Sequence, residues 1–228
     1  MRISSIMIRL ILLSVLCGAC IRAPLAAQRS GRSSSVDSIL SAFERDARER
    51  VIPSRARSEL MQMLRLSSSP AHRDSILNGL QRLALESEDM NVQLYATSYL
   101  GDAGGMIAGS SVVAQLRHIY QLRPLVRLTV LDKMPLQQER AAAAAFLRTV
   151  AAEPDPNGPD PVHGYFSNGD LRIQALARLS EMGEDGAAAL RAMHRSGEAR
   201  SPQAKILLDD MARRGFPVRD LRRALSQQ

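Results

Sequence analysis

The stretch Asp170-Leu171-Arg172-Ile173-Gln174-Ala175-Leu176-Ala177-Arg178-Leu179-Ser180-Glu181-Met182-Gly183 decides the fold. Leu171, Ala175 and Leu179 are spaced four apart, so they line one side of a helix. Arg172 follows the first of them. The same opening returns four more times: an apolar or small residue, a long polar one, then small or apolar residues at four-residue steps. The copies are Ala56-Arg57 with Leu60 and Leu64, Val92-Gln93 with Ala96 and Leu100, Val126-Arg127 with Val130 and Met134, and Ala204-Lys205 with Leu208 and Ala212. Successive copies are offset by 36, 34, 45 and 33 residues. A period in the thirties with one long gap marks a helical repeat array.

A second apolar stripe precedes each copy. Ile39, Leu40, Phe43 and Ala47 return as Ile76, Leu77, Leu80, Leu83 and Ala84. They return again as Val112, Val113, Leu116, Ile119 and Tyr120, then as Phe146, Leu147 and Val150, and last as Ala189, Leu190 and Met193. Each repeat therefore reads as two helices, with one stripe on each. Ser69-Pro70 and Ser201-Pro202 offer an N-cap ahead of proline in the first turn. Asp170 is expected to cap the helix that begins at Leu171. Gly101, Gly183 and Gly215 are expected just past the ends of second helices, and Pro135 ends the third. Val218 to Ser226 reads as a short closing helix, since terminal repeats of a stack keep one polar side.

The period, the paired helices and the apolar-then-Arg opening of the second helix make residues 36 to 215 resemble the HEAT-like repeat family. The likeness is best at 170–183 and good at 91–101. It implies an all-α fold, a right-handed α–α superhelix of about five helix pairs. A tetratricopeptide array shares the period, but its Trp, Leu-Gly and Tyr pattern is missing. In HEAT-like families the long polar residue pairs with an acidic residue near the preceding turn. The resemblance thus implies a structural role for Arg57, Gln93, Arg127, Arg172 and Lys205. The competing reading is a positive stripe for an acidic partner.

Residues 1–27 read as an export signal. Arg2 and Arg9 precede the apolar run Leu10 to Leu16, which is too short for a transmembrane helix of roughly 20 residues. Small residues up to Ala27 suit an ordinary signal peptidase. Residues 16–20 resemble a bacterial lipobox with Cys20 as the lipidated residue, although Cys17 departs from that pattern. Plain secretion is favoured, and a membrane tether through Cys20 follows if that residue is lipidated. Both cysteines lie in this segment, so the remainder has no disulfide or thiol chemistry. Residues 28–35 (QRSGRSSS) are a polar, small-residue tether, and 36–228 form the repeat domain.

The full chain carries a net charge of +7. Loss of Arg2, Arg9 and Arg22 would leave 27 basic against 23 acidic residues. Basic and acidic residues alternate, as in Glu44-Arg45-Asp46-Ala47-Arg48-Glu49-Arg50. That pattern describes a solvated helix face and speaks against a nucleic-acid partner. Met61, Met63, Met90, Met106, Met134, Met182, Met193 and Met211 read as core fillers.

The long gap marks an insertion, residues 153–169, with four prolines and with Tyr165 and Phe166, two of the eight aromatics in the chain. Insertions in repeats tend to emerge on the binding face. Asp155, Asp160, His163, Tyr165 and Phe166, with Arg127 and Arg172, are therefore the expected partner-binding residues. Asp155, Asn157 and Asp160 offer oxygen ligands, but the EF-hand spacing fails at its sixth and twelfth positions, Asp160 and Phe166. No HExxH, nucleophile elbow or phosphate loop is present, and GDAGG at 101–105 reads as an inter-repeat turn. The expectation is an exported, non-catalytic scaffold with no metal or cofactor, binding a protein or peptide on the concave face. The alternatives are a metal-assisted or acid–base hydrolase built on Glu153, Asp155, Asp160 and His163, and a purely structural envelope protein.

Overall fold

The computed structural model describes residues 35–107, 111–153, 168–198 and 200–215. Among the described residues there are ten α-helices and no strand, so the chain is all-α. In order they are α1 (Val36–Arg48), α2 (Ser54–Leu66), α3 (Pro70–Glu86), α4 (Met90–Gly104) and α5 (Val112–Leu122), then α6 (Arg127–Lys133), α7 (Arg140–Ala152), α8 (Asn168–Ser180), α9 (Gly183–Ser196) and α10 (Ser201–Arg214). Two 3-10 turns, Pro124–Val126 and Met134–Leu136, bracket α6. All ten helices belong to one compact unit, Val36–Gln228. The expected signal segment, the lipobox, tether residues 28–34 and the closing segment Val218 to Ser226 lie outside the described residues. No described helix is long and apolar enough to cross a membrane.

The helices pack in sequence order. α1 pairs with α2, α3 with α4, α5 with α6, α7 with α8 and α9 with α10. Between pairs, the first helices contact the first helices of their neighbours, α1 to α3 and so on to α9. The second helices do the same from α2 to α10. Both stripes read from the sequence form the core. Phe43, Leu60, Ile76, Leu80, Leu100, Leu116, Ile119, Val130 and Leu147 are fully buried. Each such aliphatic or aromatic side chain contributes roughly 1.5–3 kcal/mol by leaving water. Phe43 of α1 meets the Tyr99 ring of α4 edge-on at 5.5 Å, tying the first two pairs together.

Several local expectations are corrected. In the fifth copy Ala204, Leu207 and Met211 are buried, whereas Leu208 is half-buried and Ala212 exposed. The two registers differ by one residue, and the one that hides Leu207 and Met211 removes more apolar surface from water. Met90 is exposed, not core. Asn168 to Asp170 already belong to α8, so the helix starts before its expected cap and the insertion shortens to 153–167. Ser201 opens α10 instead of preceding it. Asp89, unremarked in the sequence, is a true N-cap that accepts from the backbone N–H groups of Asn91 and Val92 at 2.8 and 3.1 Å.

Gly215 follows the end of α10 as expected, with φ +70° and ψ 172°, whereas Gly183, at φ +61°, is the first residue of α9. Gly101 also departs from its expected place, because it lies inside α4. A Cβ there would meet the Lys133 Cβ of α6 at 2.5 Å, and one at Gly104 would meet the Val112 side chain at 2.7 Å. The GDAGG run is therefore a seam along which α6 and its 3-10 turn approach α4, and only incidentally a turn. Gln137 closes that seam, donating from Nε2 to the carbonyls of Gly101 and Lys133 at 2.9 and 2.8 Å.

Candidate functional site

The last carbonyls of a helix have no partner within it. Here, side chains early in the next helix reach back to them. Arg73 donates to the Ser67 carbonyl at 2.7 and 2.9 Å, and Gln93 Nε2 to the Ser87 carbonyl at 2.7 Å. Arg127 Nε donates to the Tyr120 carbonyl at 3.0 Å. Gln93 and Arg127 are members of the predicted polar row, so at these two positions the row caps preceding helices with carbonyl bonds in place of carboxylate pairs. Arg172 comes closest to the family-like expectation. It is 1% exposed, and the charge of Glu153, the residue just past α7, acts on it favourably. Arg57 departs from the row and pairs with Asp102 at 2.8 Å, and Lys205 is exposed. A continuous positive stripe is thus not what these residues build.

The charges of Arg127 and Arg172 both act on Tyr120 and on Glu153, where the insertion begins. The Arg127 guanidinium lies over the Tyr120 ring, 5.1 Å from its centre. Tyr120 in turn meets Phe146 of α7 edge-on at 5.3 Å, and Arg117 covers the far ring at 5.9 Å. Two guanidiniums thus flank an aromatic pair that joins α5 to α7. Burial pushes the Tyr120 hydroxyl up to about 12; the Glu153 charge adds to the rise, and Arg127 and Arg172 oppose it. Burial also holds the Glu153 carboxyl above its ordinary range despite the same two arginines. Burial and the neighbouring Arg200 lower Arg172. A tyrosine so raised stays protonated at neutral pH, so it offers a neutral hydroxyl and no phenolate base.

The second-helix face carries a different chemistry. Leu94 of α4 and Ile173 of α8 occupy the same place in the repeat and are 38% and 39% exposed. Leu128 and Ile206, at that place in α6 and α10, are partly buried against the core. Charges on this face pair across neighbouring helices. Asp102 of α4 takes both Arg57 of α2 and Lys133 of α6, at 2.8 and 2.6 Å. Arg178 of α8 meets Asp132 of α6 at 2.8 Å and Glu181 at 2.5 Å. Among the first helices, Arg140 of α7 holds Asp185 of α9 at 2.8 Å, and Arg148 chelates Glu198 through Nε and Nη2.

Of the residues expected to bind a partner, Arg127 is half-buried and turned toward Tyr120, and Arg172 is buried. Asp155, Asp160, His163, Tyr165 and Phe166 lie outside the described residues. His118, which the hydrolase alternative would draw in, is exposed on α5. Among the described residues no group of three or more His, Cys, Asp or Glu is placed to hold a metal ion. Sequence reasoning missed Tyr120 because it sits inside an apolar stripe and reads as core. It missed Asp102 because a lone acid in a glycine run carries no sign of its two partners. No family model, curated protein or solved structure was found to match this chain.

Proposed function

We propose that this chain is an exported, non-catalytic scaffold that binds a protein or peptide partner along its second-helix face. The framework would be a HEAT-like right-handed α–α superhelix of about five pairs. The observation that carries this reading is the neighbour-only packing, with Leu94 and Ile173 left exposed at one repeat position. An array stacked this way presents second helices side by side, and such surfaces serve mainly as docking sites. The cross-helix pairs support the same reading, because they tie neighbouring second helices together and leave exposed Leu94 and Ile173 available for apolar contact. Paired charges of this kind also speak against a nucleic-acid partner.

The short apolar run after Arg2 and Arg9 supports export to the periplasm or beyond, with membrane anchoring if Cys20 is lipidated. In this reading Arg127 caps α5 and stacks on Tyr120, whose hydroxyl stays neutral.

The test is crosslinked affinity capture from envelope extracts with the full chain. Three forms are compared: wild type, Leu94→Asp with Ile173→Asp, and Leu122→Asp, which alters an exposed residue of a first helix. We expect a partner that survives Leu122→Asp and is lost in the double variant. Identical capture by all three forms would remove the second-helix face from consideration.

A further inference from the structure

Arg57 and Gln93 are equivalent in the repeat, yet Arg57 meets α4 at Asp102, in its last turn. A cleft of about 430 Å³ lies between α2 and the end of α4, a size suited to a small ligand or a few residues of peptide. Resting on the scaffold reading above, we propose that this cleft binds the free C-terminus of a peptide ending in an aliphatic residue.

Arg57, Met61 and Arg65, four residues apart, share one face of α2 and supply the recognition chemistry, and Leu66 lines the cleft at the helix end. Met61 is 7% exposed and, with half-buried Met106 opposite, makes an apolar floor that adapts to side-chain shape. Leu66, 75% exposed at the rim, has no apolar cover of its own. Polar recognition comes from a pre-set arginine. Arg57 is fixed by two bonds to Asp102 Oδ2, from Nε at 3.3 Å and Nη2 at 2.8 Å, and by the Tyr99 ring at 5.2 Å. Three of its five N–H groups carry no hydrogen bond among the described residues.

The charge is complementary to a carboxylate. Asp102 is shared between Arg57 and Lys133, so one anion faces two cations. Arg65, two turns along the same face, has no ion-pair partner among the described residues. The wall is therefore net positive beside an apolar floor. A chain end with an aliphatic side chain presents both features together: a planar carboxylate for an arginine fork, and methyl groups for the methionines.

The experiment titrates the full-length protein with a fluorescently labelled hexapeptide ending in leucine with a free carboxylate, read by polarisation. Its C-terminal amide and decanoate are run beside it. Arg65→Glu and Leu66→Glu alter exposed residues, so both should keep the wild-type helix content by circular dichroism. We expect saturable binding of the free peptide, weakened about tenfold or more by amidation and by each substitution. Absence of saturable binding, equal binding of the amide, or indifference to both substitutions would overturn the site. Displacement of the peptide by decanoate at lower concentration would overturn the peptide as occupant in favour of a fatty carboxylate. If cleft substitutions leave peptide binding intact while Leu94→Asp with Ile173→Asp abolishes it, the cleft falls and the scaffold reading stands.

Discussion

Arg127 serves one neighbour in two ways, bonding the Tyr120 carbonyl and covering its ring. Arg127→Met keeps the apolar stem and removes both interactions. We expect a loss of about 1–2 kcal/mol in urea unfolding with the slope unchanged, and only partial rescue by lysine, which lacks the planar stack. Glu153 gives a second residue-scale prediction. Burial raises its carboxyl in the folded chain, so the native state holds that proton more tightly than the unfolded chain. The stability this confers is fully present below the unfolded value of about 4.3 and is lost as pH rises through the higher folded value. Glu153→Gln should therefore be more stable than wild type at neutral pH, with the difference closing on acidification. A variant less stable than wild type at neutral pH would mean that the arginines, not burial, dominate. Glu198 runs the other way. The hydrogen bond from Arg148 holds its carboxyl low, so its contribution is present above the ordinary carboxylate value and lost as pH falls through the folded one. Glu198→Gln should cost stability at neutral pH and nothing in strong acid, by thermal melting across a pH series.

Between elements, the seam of α4 against α6 is the tightest test of packing. Gly101→Val would drive a branched side chain into Lys133, where 2.5 Å separates an added Cβ from the lysine's own. Overpacking of this kind costs roughly 1–3 kcal/mol, measurable as a lowered unfolding midpoint. Both stripes of each pair were legible beforehand, because Ile76, Leu80 and Ala84, or Val92, Ala96 and Leu100, leave only one burial solution on a helix. The role of Gly101 was not, since a helix end and a close approach both call for the smallest residue. Nor was the fifth register legible: Ile206, Leu207 and Leu208 are consecutive and all apolar, so spacing alone cannot choose among them. Capping by Arg127 was visible only as a repeated position. Its partner is a backbone carbonyl, a group every residue carries.

Across the molecule, packing runs between sequence neighbours, with no described helix relying on a distant one for its main contacts. In such an arrangement the ends hold fewer interfaces than the middle. Amide exchange should therefore be faster in α1–α2 and α9–α10 than in α4–α6, and uniform protection along the chain would mean a single cooperative block. The candidate site was less legible than the fold. Its expected aromatic and acidic residues cluster in the insertion, where composition sets no periodicity, while the groups that organise its base were read as core. The insertion itself has another consequence. α7 and α8 pack as extensively as α3 and α4, although residues 153–167 separate the former and residues 87–89 the latter. The interface therefore does not depend on the length of the covalent link across it. The gene could be divided there, each half expressed alone, and the two polypeptides should find one another and restore the whole. That would make this joint the natural place to install a reporter of assembly.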